Sequence, residues 1–316
     1  MRRTITVLLL ACGVSVSAFA KIDGGLLALV PSGAKIITSV DISQAKTSPF
    51  GIYVMNRINS ENQNFEQFVR ETGFDPRRDV LDFVFASTGT AGDNQSHDFA
   101  LLVRGIFDED RIKSVARAKG VSVQNYQGVD LFVEPSHRRA NAFAFPQAGI
   151  AVMGDLASVQ QIVAGRANPT VLDPVIQQRV SEVGANDAWF VSAVPGSYFA
   201  NHIAKEANAP EQAQALQSIL ESSGGIHFGD VVQLTLDAIA RSEKDASSLA
   251  DIIRFLGSMV QMQRQHDPRA GILAPAFDAM VLKTAGDTVH FSISLPEKNV
   301  EQLAELGPKV TAGQER

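Results

Sequence analysis

One cysteine, Cys12, supplies all the thiol in a chain of 316 residues. That excludes a disulfide framework and any zinc or iron–sulfur centre built on several cysteines. Basic charge is also thin. Twenty-eight Lys and Arg stand against 34 Asp and Glu, for a net charge of −6. The clusters DPRRD (75–79) and SHRR (136–139) are too short to hold nucleic acid or anionic lipid by bulk charge. The signatures of common chemistries are missing as well. The six histidines form no HExxH pair, and no GxSxG elbow or dinucleotide fingerprint occurs. Spacing of the SxxK type appears at Ser32/Lys35 and Ser43/Lys46. Both pairs flank a strand rather than lying in a helix, and the companion SDN and KTG motifs are absent. Neither a cofactor nor a metal site is expected.

Long apolar runs are confined to the first twenty residues. Arg2 and Arg3 precede a mostly apolar stretch from Ile5, and SAFA places small residues at Ala18 and Ala20. This predicts a signal peptide over 1–20, with the mature chain beginning at Lys21. Cleavage there removes Cys12, Arg2 and Arg3 and no acid, so the net charge moves from −6 to −8. The second reading takes LLAC (9–12) as a lipobox acylated at Cys12. It is weaker, because Leu10 stands where a smaller residue is usual and the apolar stretch runs on past Cys12. Export to the periplasm or beyond is the expectation, with no transmembrane helix in the mature chain.

Internal similarity divides the remainder into two related halves, 21–170 and 171–310, before a flexible tail at 311–316. FEQFVRETG (65–73) aligns with LQSILESSG (216–224), each with apolar residues at i, i+3 and i+4 and a terminal glycine, which predicts two helices. At the same offset DVLDFVF (79–85) meets DVVQLTL (230–236), a half-buried strand in both halves. Opening strands lie at 35–42 and 188–194. A closing strand and helix in GIAVMGDLASVQQIV (149–163) match HFSISLPEKNVEQLA (290–304). Further strands are expected at 98–103, 121–126, 129–134, 141–145, 277–284 and 287–295. Helices are expected after DEDR, from Ser48 and over 243–264. The fold class is α+β, two related halves of mostly antiparallel sheet with packed helices, and duplication is its simplest origin.

The densest chemical segment is TGFDPRRDVLDFVF (72–85). Asp75 before Pro76 suits a turn whose carboxylate accepts backbone N–H groups. Asp79 aligns with Asp230 at the same corner, and Asp82 is expected to face water, opposite Leu81, Phe83 and Phe85. This favours a structural joint over a catalytic cluster. The loop ASTGTAGDNQSHD (86–98) is rich in Gly, Ser and Thr, and its backbone is suited to hold an anion, but no GK[ST] follows it. His97 stands next to Asp98, yet neighbouring strand residues point to opposite faces.

An opening strand after PSGA (Pro31 to Ile42), a Ser-Pro helix (Ser48 to Ile58) and the GFDP turn (Gly73 to Asp79) together resemble a group of uncharacterised bacterial exported proteins. The resemblance implies export and an α+β fold and carries no activity. The expected function is that of an exported cell-envelope protein that binds a partner protein or small ligand without catalysis. The alternative is a hydrolase whose residues, Asp75, Asp79, His97 and Arg104, converge only in three dimensions.

Overall fold

The computed structural model describes residues 24–48, 51–52, 63–89, 98–134, 140–168, 170–196 and 216–306. The leader and lipobox, the helix expected beyond Ser48, the run from Ser197 to Ala215, His97, His137, His202 and the tail lie outside the described residues.

Twelve strands run in chain order: β1 (Ile36–Asp41), β2 (Val80–Ser87), β3 (Phe99–Gly105), β4 (Ser122–Tyr126), β5 (Val129–Glu134), β6 (Asn141–Gln147), β7 (Ile150–Asp155), β8 (Ala188–Ser192), β9 (Ile219–His227), β10 (Val231–Ala240), β11 (Val281–Ala285) and β12 (Thr288–Pro296). They form one sheet in the order β11-β12-β10-β9-β8-β1-β2-β3-β7-β6-β5-β4. Every neighbouring pair is antiparallel. Ten helices are described: α1 (Gly24–Ala28), α2 (Ile42–Ala45), α3 (Gln63–Thr72), α4 (Pro76–Asp79), α5 (Glu109–Ala118), α6 (Leu156–Gly165), α7 (Pro174–Val183), α8 (Glu243–Gln263), α9 (Pro268–Asp278) and α10 (Glu297–Glu305). The fold class is therefore α+β with antiparallel pairing.

Three helices start on the same dipeptide. Asp75–Pro76, Asp173–Pro174 and Asp267–Pro268 each place an Asp at the N-cap and a Pro in the first turn. Each carboxylate accepts from the backbone N–H two residues on, at Arg77, Val175 and Arg269. Proline costs nothing there, since the first-turn N–H has no helical partner, and the aspartate satisfies one of the donors left over.

Directly paired residues share a face of a sheet, so the register traces both faces across the molecule. On the near face the row Trp189–Ser39–Val84–Leu102–Val152 crosses β8, β1, β2, β3 and β7. It belongs to the main core, closed by Leu26 of α1 and Val30 just after it, Val159 and Ile162 of α6, and Ile176 and Val180 of α7. Past β8 the same row turns polar, through Gly225, Thr235 and Ser292. On the far face, Phe190–Thr38–Phe85–Leu101–Met153 continues through Phe143, Phe132 and Val123 to one edge. In the other direction it continues through Gly224, Leu236, Phe291 and Leu282. There the second core forms under α8, α9 and α10, with Phe291, Ile293 and Leu295 against Ile253, Leu273 and Val300.

From the centre outward the strand order is β1-β2-β3-β7-β6 on one side and β8-β9-β10-β12-β11 on the other. The closing helices differ: α6 seals the near face and α10 the far face.

Several expectations are corrected. The helix expected over 216–224 does not form: only Leu216 is helical, and β9 starts at Ile219. The topological counterpart of β2 is β9, and that of β3 is β10, so the alignment of 79–85 with 230–236 was one hairpin out of step. Asp230 lies exposed between β9 and β10, while Asp79 is buried at the end of α4. Gly224 is a strand residue. A Cβ there would lie 2.6 Å from Leu236 Cδ2 and 2.8 Å from the Phe190 ring, so glycine lets the two side chains meet above it. The strand expected over 277–284 begins only at Val281, because α9 extends to Asp278.

Candidate functional site

The joint at 72–80 is closed on itself. Helix α3 ends at Gly73, which holds a φ of 73° as a left-handed cap requires. Asp75 caps α4 and takes Arg77 Nε and Nη2 at 2.8 and 2.6 Å. Asp79 is buried. It accepts from the Asp75 N–H at 2.8 Å and from Arg78 Nε and Nη2 at 2.6 and 2.8 Å. The SxxK pair nearest the joint serves it too, and contrary to expectation it does lie on a helical turn, with Ser43 in α2 and Lys46 at its C-cap. Ser43 donates to the Leu81 carbonyl, and Lys46 Nζ donates to the carbonyls of Arg78 and Val80. Burial pushes the Lys46 ammonium below its usual range, against the pull of Asp79 and Asp75. These are holding contacts: hydroxyl and amine are both committed to backbone.

The structure brings Asp75 and Asp79 together and gives Arg104 a different partner. Asp82 does not face water. It is 2% exposed on the near face beside Val84 and Ala86, and Arg104 Nε lies 3.0 and 3.1 Å from its two oxygens, with Nη2 closing the fork. Leu81, Phe83 and Phe85 occupy the far face, half-buried. A fork from arginine neutralises a carboxylate that would otherwise be expensive to bury. This is why an aspartate tolerates the core side of β2.

The Arg77 hydrogen bond holds the Asp75 carboxyl below the ordinary aspartate range. For Asp79, burial pushes upward and is outweighed by Arg78 and the Asp75 N–H, so its pKa is also lowered. Both folded values lie below the unfolded one, about 3.9. Their stabilisation is therefore complete above that pH and lost as pH falls through the lowered folded values. Asp79→Asn is expected to flatten the acid limb of the stability curve below about pH 4. Urea titrations across that range check this, and an unchanged limb rejects the role of Asp79.

At the base of the 86–98 loop, Pro31, Ala34, Thr88, Asp98, Ser158 and Gln161 line a pocket of ≈ 10 Å³, room for about one water. On the polar near face of β10 and β12, His290 Nδ1 lies 2.7 Å from Asp237 Oδ1. His290 takes the polar side of β12. Among the described residues no group of three or more His, Cys, Asp or Glu is placed to hold a metal ion. No helix among them is long and apolar enough to cross a membrane.

What the sequence reading missed is the far face between its two covers. At one end Arg117 and Lys113 of α5 lie over the rings of Phe132 and Phe145. At the other stand α8, α9 and α10. Between them Phe190, Thr38, Phe85 and Leu101 are half-buried, and Met153 is 47% exposed. Phe85 stacks on Phe99 at 6.2 Å. The available signal was strand apolarity on both faces, in VLDFVFAS and FALLVRG, where one-sided burial gives strict alternation.

The class of protein so defined is an α+β protein built on one wide antiparallel sheet. No family model and no curated protein matches the chain. A solved structure described as crystal form IV of TP0453 is similar at 14% identity, covering 90% of this chain and 97% of that one, with a TM-score of 0.51. At that identity the likeness shows the fold alone.

Proposed function

We propose that the protein is an exported cell-envelope binding module whose far face, around the exposed Met153, receives the apolar surface of a partner protein. The observation that carries this is the row Phe190–Thr38–Phe85–Leu101–Met153, apolar but for Thr38, contiguous across five strands and half-buried up to Met153, which is exposed. Contiguous apolar surface of this kind is the feature that favours association. Export rests on the leader sequence. The hydrolase alternative gains nothing from the candidate carboxylates, which are committed to capping and to arginine forks.

One preparation tests the reading. The full chain is expressed in a bacterial host and recovered from the envelope fraction, where its intact mass is expected to correspond to a start at Lys21. An acylated start at Cys12 replaces secretion with a lipid anchor. Purified protein then captures its partner from envelope extract. Met153→Asp is expected to keep wild-type stability within about 0.5 kcal/mol. It should lower capture roughly tenfold, the equivalent of about 1.4 kcal/mol of binding. Met262→Asp, exposed on α8, is the control and should capture normally. Undiminished capture by Met153→Asp overturns the far face as the site.

A further inference from the structure

The two edges of the sheet are not alike. Edge strand β11 carries Lys283, exposed at its centre. A lysine on an edge strand is a common guard against pairing with another chain. Edge strand β4, SVQNY, has no charge and no proline, and four of its five residues are exposed. The charges flanking it are already matched within the chain. Arg117 pairs with Asp130 at 2.9 Å and Lys119 with Glu71 at 2.5 Å.

The open hydrogen-bonding groups of β4 follow from its turn. Tyr126 pairs with Val129 across Gln127–Gly128, whose φ values of 50° and 81° define a tight two-residue hairpin. Counting back from that closing pair, antiparallel alternation turns the N–H and C=O of Ser122, Gln124 and Tyr126 toward β5. Those of Val123 and Asn125 point to the open edge. This set is self-complementary. An antiparallel copy placed with Gln124 opposite Gln124 pairs Val123 with Asn125 twice, using every outward group of the two residues, and sets no charge against a like charge.

We propose that β4 is a homotypic docking edge, at which a second copy of this chain pairs antiparallel about a two-fold axis at Gln124, joining two sheets into one. This surface is separate from the far face, so either reading can fail alone. The two-fold makes the contact isologous, and it closes at a dimer. Across the axis the Gln124 pair is the non-hydrogen-bonded type, with Cα atoms about 4.5 Å apart, within disulfide reach.

The test uses the full chain carrying Cys12→Ser, so that each added cysteine is the sole thiol. Under mild oxidation Gln124→Cys is expected to form a covalent dimer, while Lys283→Cys at the other edge stays monomeric. In sedimentation velocity the parent protein should show a reversible dimer. Gln124→Lys, which sets two lysines face to face, should weaken that dimer roughly fivefold. The idea is overturned if the parent stays monomeric at every concentration, if Lys283→Cys cross-links as readily, or if Gln124→Lys leaves the dimer unchanged. Amide exchange at Val123 and Asn125 gives a further readout. Protection that appears only when envelope extract is added assigns the edge to a foreign strand and also rejects self-pairing.

Discussion

Phe132→Ala is expected to cost about 3–5 kcal/mol, the range for truncating a fully buried aromatic side chain. Phe132 is 1% exposed, stacks on Phe143 with centroids 4.7 Å apart, and lies under the Arg117 guanidinium at 5.4 Å. Lost burial, a cavity and a lost ring stack all act in the same direction. Phe85→Ala is expected to cost less, because Phe85 is only half-buried on the far face. Chemical denaturation of the two variants ranks them. If Phe85→Ala proves the more damaging, the far face is closed in solution, and its assignment as a binding surface falls with that result.

The weight on Phe132 follows from a chain of aromatic contacts. Phe68 of α3 meets Phe74 in the joint, Phe74 meets Phe107, and Phe107 meets Phe145 of β6. Phe145 then meets Phe143, which stacks on Phe132. The joint at 72–80 is thus tied to the outer strands through Phe74 rather than through its charges, which satisfy one another locally.

Much of the strand pattern could be read in the sequence. The strand expected at 129–134 has the bounds of β5, and the helix expected over 243–264 is α8 ending at Gln263. Faces were harder. In 80–87 the larger residues Leu81, Phe83 and Phe85 suggested the core side, yet the deepest residues are Val84, Ala86 and Asp82. The near face lies under three helices, and on β2 its buried positions are held by Val84, Ala86 and Asp82, all smaller than the residues opposite. Nothing local to the strand reveals that a helix will cover its lesser side, or that an arginine on the next strand will neutralise Asp82. The 216–224 stretch failed for a related reason. Leu216, Ile219 and Leu220 fit a helix stripe, but the Ser-Ser-Gly-Gly that follows suits a strand crossed closely by Phe190 and Leu236. Helix α9 did carry a local signal, the Asp-Pro start that also opens α4 and α7.

The site was less legible than the fold. Asp75 as a capping aspartate could be read from its place before proline, because that interaction spans two residues. The far-face row is a property of register across strands far apart in sequence. No alternation within one strand shows which of its faces neighbours will leave uncovered.

Arg104→Met should be the second severe variant, and it bears most directly on the misread aspartate. Asp82 is 2% exposed. Taking away its arginine leaves a buried carboxylate without its neutralising fork, a loss of about 3–5 kcal/mol in comparable buried pairs. Asp82→Leu should be milder, since the Arg104 side chain is 35% exposed and can turn its guanidinium to water. Replacing both, as Asp82→Leu with Arg104→Met, should restore much of the loss, because a well-packed apolar pair is often as stable as the ion pair it replaces. The double-mutant cycle is therefore expected to show strong non-additivity, with the two changes together costing less than Arg104→Met alone. Additive effects, or an Arg104→Met variant as stable as wild type, would return Asp82 to water and reverse the assignment of near and far faces. Because those faces decide which surface is left open to a partner, the stability cycle and the Met153→Asp capture assay test the same register by independent routes.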